Sequence, residues 1–253
     1  MRQEDRLGAI LERLNAQGTV GVADLAAHLG VSVASVRRDL QLLEDQHLLS
    51  RTHGGAVANG VLYELPMRYR GGQRQEEKRR IAQAAAALVT DSVVAVALSG
   101  GTTTTQVARE LASRSGLKVV TNAINIAAEL ALRPALSLVV CGGTGRPESH
   151  ELVGPLAEQT LRQLNVDIAF VGVDGISTTA GLTTHHEVEA ATNRAMIGIA
   201  GRVVVVADGS KVGRRAFAQI APVSSVSDLI TDESADPDEC ARLRDAGVSV
   251  LVV

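Results

Sequence analysis

The chain has 253 residues, 45% of them hydrophobic and 21% charged, which suits two modest domains with real cores and excludes large-scale disorder. A formal net charge of −3 and a pI near 6.1 exclude a bulk polycation, so any affinity for nucleic acid must come from where the charges sit. Two Phe, two Tyr and no Trp leave few stacking platforms, which argues against a single-strand or RNA binder.

The first twenty residues carry Arg2, Glu4, Asp5, Arg6, Glu12 and Arg13, so they hold no signal-peptide run. No later apolar run approaches the roughly twenty residues that cross a bilayer. Cys141 and Cys240 lack metal-ligand spacing and read as reduced core thiols of a cytoplasmic protein. Neither a metal nor a cofactor is expected, and no membrane.

Glu4 to Ala16 places Leu7, Ile10, Leu11 and Leu14 at helical spacing. Val22 to Leu29 is a second short helix, which Gly30 ends. From Ser32, a capping residue, a third helix runs with Val36, Leu40 and Leu43 along one stripe. Ser35, Arg37, Arg38 and Gln41 lie largely off that stripe and are free to face a partner. Two short helices joined by Gly-Val-Ser form a helix-turn-helix, whose second helix is of a size to enter the DNA major groove. Arginine suits that place because its planar fork can bond guanine edges or phosphates in pairs. Leu48 to Gly55 would be a hairpin wing that sets Arg51 and His53 near the backbone. The expected DNA contacts are therefore Ser32, Ser35, Arg37, Arg38, Gln41, Arg51 and His53. Residues 1–57 carry six Lys/Arg against seven Asp/Glu, so binding should weaken steeply with salt.

Residues 58–74 read as a linker, from Asn59-Gly60, Pro66 and Gly71-Gly72. Arg68 to Arg80 holds six basic and two acidic residues, either a solvated hinge or a further phosphate contact. Residues 75–253 form the second domain. Gln75 to Leu88 is an alanine-rich helix. Beyond it, apolar strand-like runs near 93, 117, 136, 167, 202, 228 and 248 alternate with helical stretches, which predicts an α/β fold with a mostly parallel sheet covered on both faces.

In such a sheet, ligands sit beyond the carboxyl ends of the strands. There the sequence reads Ser99-Gly100-Gly101-Thr102-Thr103-Thr104, then Asn122, Gly142-Gly143, Asp174-Gly175 and Lys211. Glycines let backbone amides approach an anion, the hydroxyls add donors, and the following helix start supplies a favourable dipole. The chemistry suits a phosphate, but there is neither a Walker lysine nor GxGxxG spacing, so nucleotide is disfavoured. Lys211 would meet the phosphate, while Asp174 and Asn122 could bond sugar hydroxyls. His185-His186-Glu187 lacks HExxH spacing and is not taken as a metal site.

Ser35-Val-Arg-Arg-Asp-Leu40 and Arg51-Thr-His-Gly-Gly-Ala56 resemble the signature of the DeoR family of bacterial transcriptional regulators. Glu76-Glu-Lys78, Gly101-Thr-Thr103, Thr121-Asn122, Gly142-Gly143, Leu152-Val-Gly154, Asp174-Gly175, Asp208-Gly-Ser-Lys211 and Ile230-Thr-Asp232 look like its sensor landmarks. The resemblance implies a winged helix-turn-helix followed by a Rossmann-like sensor similar in fold to ribose-5-phosphate isomerase. It also implies double-stranded operator DNA and a phosphorylated sugar as partners, and a dimer or higher homo-oligomer. The implied role is repression of a carbohydrate operon. Ser99 stands where the family often has an acidic residue.

Two other readings compete. A sugar-phosphate isomerase with an added domain would need a carboxylate base. Ribose-5-phosphate isomerases carry a Glu-Lys pair where this chain has Asn193-Arg194, so binding without turnover is expected, with Glu187 and Glu189 the carboxylates nearby. The other is an architectural DNA-binding protein with an inert second domain.

Overall fold

The computed structural model describes residues 3–58, 66–70 and 72–253, which fall into two units, Met1–Gln73 and Arg74–Val253. The turn residues Asn59, Gly60 and Gly71 lie outside the described residues.

In the first unit, α1 (Gln3–Gln17) buries Leu7, Ile10, Leu11 and Leu14. α2 (Val22–Leu29) stops at Gly30, whose φ of 65° is the left-handed conformation that lets a chain leave a helix. α3 (Val33–Asp45) begins where the Ser32 hydroxyl accepts the Ser35 amide at 3.2 Å, and it buries Val36, Leu40 and Leu43. β1 (Thr19–Gly21), β2 (Leu49–Arg51) and β3 (Gly55–Ala58) pair antiparallel in the order β1-β3-β2. β2 and β3 are the expected wing. β1, a mere Thr-Val-Gly, is too short to show a period in the sequence. A side chain at position 55 would begin 1.8 Å from the Val20 carbonyl oxygen, so the wing closes on β1 only with glycine there. Within the stretch expected as linker, α4 (Met67–Arg70) is helical, and its Tyr69 packs into this core with its hydroxyl donating to Gln46 Oε1.

The orientation of α3 is set by a buried charge. Asp39, 1% exposed, accepts from Arg6 Nε and from Arg6 Nη2, the latter at 2.9 Å, so a two-pronged ion pair binds α3 to α1. With Asp39 turned inward beside Val36 and Leu40, Arg37 and Arg38 are left exposed.

The second unit holds one parallel seven-stranded sheet in the order β15-β14-β12-β9-β4-β5-β6. Its strands are β4 (Ala95–Leu98), β5 (Lys118–Thr121), β6 (Ser137–Val140), β9 (Val166–Val171), β12 (Ala200–Val206), β14 (Asp228–Thr231) and β15 (Ser249–Val252). Each corresponds to one of the apolar runs in the sequence. Alternate residues serve two cores: Val96, Leu98, Ile168, Phe170, Val204 and Val206 face one way, and Ala97, Ala169, Val171, Val203 and Val205 the other. The first core is closed by α5 (Gln75–Ala87), α6 (Thr102–Leu111) and α7 (Ile124–Leu130) through Ile81, Val107, Leu111 and Ile126. The second is closed by α8 (Pro155–Leu161), α9 (Glu187–Gly198) and α10 (Pro237–Asp245) through Leu161, Met196 and Leu243. Burial on both faces explains why the strands read as continuous Val/Ile/Leu runs. At the end of β6, Cys141 is fully buried, and burial pushes its thiol up to about 11. Among the described residues no helix is long and apolar enough to cross a membrane.

Two small additions do not show as apolar runs. β7 (Thr144–Arg146) and β8 (Glu151–Val153) form a hairpin, and β10 (Gly175–Ser177), β11 (Gly181–Thr184) and β13 (Ala218–Ala221) form an antiparallel sheet. The chain runs outward from β4 through β5 and β6, then returns to the other side of β4 at β9 and continues to β12, β14 and β15. The strand order therefore reverses between β4 and β9, which is where an open parallel sheet leaves a crevice.

Removing one partner of the Arg6–Asp39 pair strands the other charge. Asp39→Ala should destabilise the first unit by on the order of 3 kcal/mol, whereas Arg37→Ala should change stability by less than about 0.5 kcal/mol. Urea unfolding of the full chain, followed through both transitions, reads the two values.

Candidate functional site

Two regions hold the residues with chemistry to offer. On α3, the side chains of Arg37 and Arg38 are exposed and make no ion pair or hydrogen bond within the described residues. Ser32 and Ser35 bond one another at the helix start, hydroxyl to hydroxyl at 3.0 Å. Gln41 is already engaged: its amide nitrogen donates to Asp45 at 2.9 Å and its oxygen accepts from Arg51 Nη1. The Arg51 backbone amide donates to Glu44 at 2.8 Å. These bonds tie α3 to the first strand of the wing, and His53 stands exposed in the turn between β2 and β3. Among the described residues, two arginines of α3 thus have no ion pair or hydrogen bond, and one arginine of the wing is held against that helix.

The second region surrounds the β4/β9 reversal. Ser99 is fully buried; its hydroxyl donates to the Gly100 carbonyl at 3.1 Å and accepts the Gly172 amide at 2.9 Å, which stitches the ends of β4 and β9 together. Gly172 is required, since a Cβ there would sit 2.9 Å from the Gly100 oxygen. The Gly100 amide donates to the buried Glu151 carboxylate at 2.6 Å. Gly101, with φ 129°, turns the chain into α6, and its carbonyl accepts the hydroxyls of Thr104 at 2.9 Å and Thr105 at 2.7 Å. The first-turn amides of α6, from Thr102 onward, have no acceptor within the helix. That is the geometry of an anion cradle. Thr103 is buried in the same turn.

Asp174, two residues past Gly172, accepts from the Thr184 hydroxyl at 3.0 Å and faces Lys211 Nζ at 3.8 Å. Lys211 closes a one-turn 3-10 helix, Gly209–Lys211, capped by Asp208. That turn is pinned by Asp232, which accepts the Gly209 amide at 2.7 Å and the Ser234 amide at 2.9 Å. Burial pushes the Asp232 carboxyl upward, but the Ser234 hydroxyl, the two amides and the nearby Arg74 charge outweigh it and hold it below its ordinary value of 3.8.

The other expected ligand residues are placed less openly. Asn122 has no exposed surface; its amide nitrogen donates to the Leu152 carbonyl at 3.2 Å, and its Oδ1 has no hydrogen bond. Gly142 and Gly143 lead into β7 and lie toward solvent, and Gly175 is buried at the start of β10. Three side chains at the same junction, Arg146, Glu151 and Thr184, carried no signal in the sequence, and Glu189, singled out there only as a carboxylate near Asn193-Arg194, joins them. Glu189 is buried in contact with Arg146 Nη1 at 3.3 Å and the Thr184 hydroxyl at 3.1 Å, whereas Glu187 is exposed. His186 caps α9 by accepting the Val188 amide, and the described residues contain no cluster of His, Cys, Asp and Glu fit to hold a metal. Arg194, of the Asn193-Arg194 pair, donates to the Gln219 and Ile220 carbonyls, a structural role.

Residues 6–60 match the DeoR-like helix-turn-helix domain, and residues 73–233 match the DeoR C terminal sensor domain. The chain belongs to the DeoR family of transcriptional regulators. A putative aga operon transcriptional repressor of Escherichia coli O157:H7 is 35% identical over 98% of this chain and 93% of its own. The glycerol-3-phosphate regulon repressor of Escherichia coli K12 is 32% identical over 92% of each. A solved D-ribose-5-phosphate isomerase in complex with phospho-erythronic acid aligns with 55% of this chain and 54% of its own at 19% identity, with a TM-score of 0.41. This DeoR-family member is accordingly a DNA-binding regulator and not an enzyme, and the isomerase reading is set aside.

Because the carboxyl of Asp232 is held low in the fold, its contribution to stability is present above the unfolded value near 3.8 and is lost as pH falls through the lower folded value. Thermal unfolding of the second unit between pH 5 and pH 3 should show that loss, as the ordinary Asp value near 3.9 lies within that range. Asp232→Asn should lower stability at neutral pH and remove that part of the acid dependence.

Proposed function

We propose that this regulator is a repressor of a carbohydrate-use operon, which releases its operator when a phosphorylated sugar or a related metabolite occupies the crevice between β4 and β9. The observation that supports the reading is that the start of α6 follows β4 through Gly100, and Gly100 abuts Gly172, two residues before Asp174, which in turn faces Lys211 at 3.8 Å and Thr184 at 3.0 Å. The phosphate would lie on the amides of Gly101 to Thr103, drawn by the helix dipole, with Lys211 adding a mobile positive charge. A relative named for the regulon of a phosphorylated polyol supports the same chemistry.

On the DNA side, Arg37 and Arg38 enter the major groove while Arg51 and His53 approach the backbone, with Ser32, Ser35 and Gln41 completing the contact. One reading helix covers only a few base pairs, so the regulator acts as a dimer or tetramer on paired half-sites in the cytoplasm. By linkage, whatever factor the effector takes from operator affinity, the operator takes from effector affinity.

The test starts from an operator isolated by selection on random duplexes. A phosphorylated sugar from a screened panel should raise the melting temperature and weaken operator binding, while its unphosphorylated parent does neither. Stabilisation without any change in DNA affinity would overturn the reading. Arg37→Ala and Arg38→Ala should each cost on the order of 1–3 kcal/mol of operator affinity where the side chain meets a base edge. Lys211→Ala should bind operator normally and no longer be released.

A further inference from the structure

Glu189 is short of hydrogen-bond donors. Its Oε2 lies 3.1 Å from the Thr184 hydroxyl oxygen, which is also 3.0 Å from Asp174 Oδ2. A threonine hydroxyl has one hydrogen to donate, so only one of these two carboxylate oxygens receives it and the other meets a lone pair. The second oxygen of Glu189, Oε1, makes no hydrogen bond and faces only the charge of Arg146 Nη1 at 3.3 Å. At 3% exposure, bulk solvent does not supply what is missing. A buried carboxylate in that condition is costly, and a donor placed against it by a ligand would be bound with corresponding strength.

The location gives the deficit its meaning. Short contacts run from Lys211 to Asp174, to Thr184, to Glu189 and to Arg146. Arg146 stands opposite Glu151 in the β7–β8 hairpin, and Glu151 holds the Gly100 amide. The Gly100 oxygen in turn abuts Gly172, two residues before Asp174, so the contacts close into a ring around the strand-order reversal. The α6 side of the ring offers donors to an anion. The Glu189 side offers carboxylate acceptors whose charge is already faced by Arg146 and Lys211. A ligand hydroxyl placed there would find an acceptor, whereas a ligand carboxylate would have to compete with Asp174 and Glu189 for those two cations.

We propose that Glu189, with Thr184 and Arg146 beside it, is the hydroxyl-reading side of the sensor crevice. The effector is therefore a phosphorylated sugar or polyol with a free hydroxyl away from its phosphate, and not a phosphorylated sugar acid. This rests on the crevice being the phosphate site proposed above.

The experiment is a set of thermal-shift and calorimetric titrations of the full chain. The probes are inorganic phosphate, a panel of aldose, ketose and polyol phosphates, and the phosphorylated sugar acids of the same lengths. A sugar or polyol phosphate should bind tightest, and Glu189→Gln should weaken it roughly 10- to 100-fold, the loss of one hydrogen bond to a charged group. The response to inorganic phosphate should stay unchanged. Should Glu189→Gln lower the melting temperature of the unliganded chain, Thr184→Val against Thr184→Ser decides instead, with affinity lost in the first and kept in the second. Equal affinity of Glu189→Gln and wild type for the best sugar phosphate, or tightest binding of a sugar acid, overturns the hydroxyl reading and leaves the phosphate site standing. If neither inorganic phosphate nor any phosphorylated probe shifts the wild type, the phosphate site itself fails and this inference falls with it.

Discussion

All seven strands of the large sheet run the same way, and their order reverses between β4 and β9. Parallel strands deliver every following loop to one edge, and the reversal parts the helices that would otherwise cover it. The start of α6, Asp174 and Lys211 come from separate stretches of chain, and each follows a strand of this sheet on that same edge. The reversal is tight as well as open: Ser99 bonds the Gly172 amide beneath it, and only glycine at 172 allows the Gly100 carbonyl so near. The ends of β4 and β9 are thus held together by one hydroxyl on a backbone amide and by a close backbone approach.

The smaller unit obeys a different logic, in which one buried acid sorts the charges of a helix. In Val36-Arg-Arg-Asp-Leu40 the two arginines and the aspartate look alike as polar residues between apolar ones. The two-pronged bond from Arg6 takes Asp39 into the core and cancels its charge there. The outer face of α3 then carries Arg37 and Arg38 without a neighbouring negative group of its own turn. Residues 1–57 carry six Lys/Arg against seven Asp/Glu, yet two exposed arginines stand together on α3, so position and not the sum sets the local charge.

Legibility followed the length of the apolar signal. The sheet strands were visible because burial on both faces spells runs of Val, Ile and Leu, and Gly30 and Ser32 marked the helix boundaries through their own backbone chemistry. Thr-Gly-Arg, Gly-Ile-Ser and Gly-Leu-Thr-Thr carry no such run, so β7, β10 and β11 emerge only from tertiary pairing. The same holds at the site. Gly100 to Thr103 announced itself, since glycines and hydroxyls before a helix have few other uses. Arg146 and Thr184 did not, and Glu189 stood out only as a possible base, because their spacing follows no helical or strand period and their meeting depends on a hairpin and α9 folding over the sheet edge. Tyr69, in a stretch rich in turn formers, was hidden by its neighbours' composition.

Cys141 follows β6 directly and precedes the Gly142-Gly143 rim, with its thiol pushed up to about 11 by burial. A thiol that is both buried and held mostly protonated is a poor target for peroxide and electrophiles, so the end of β6 is chemically quiet, in the same sheet in which Ser99 and Gly172 tie β4 to β9.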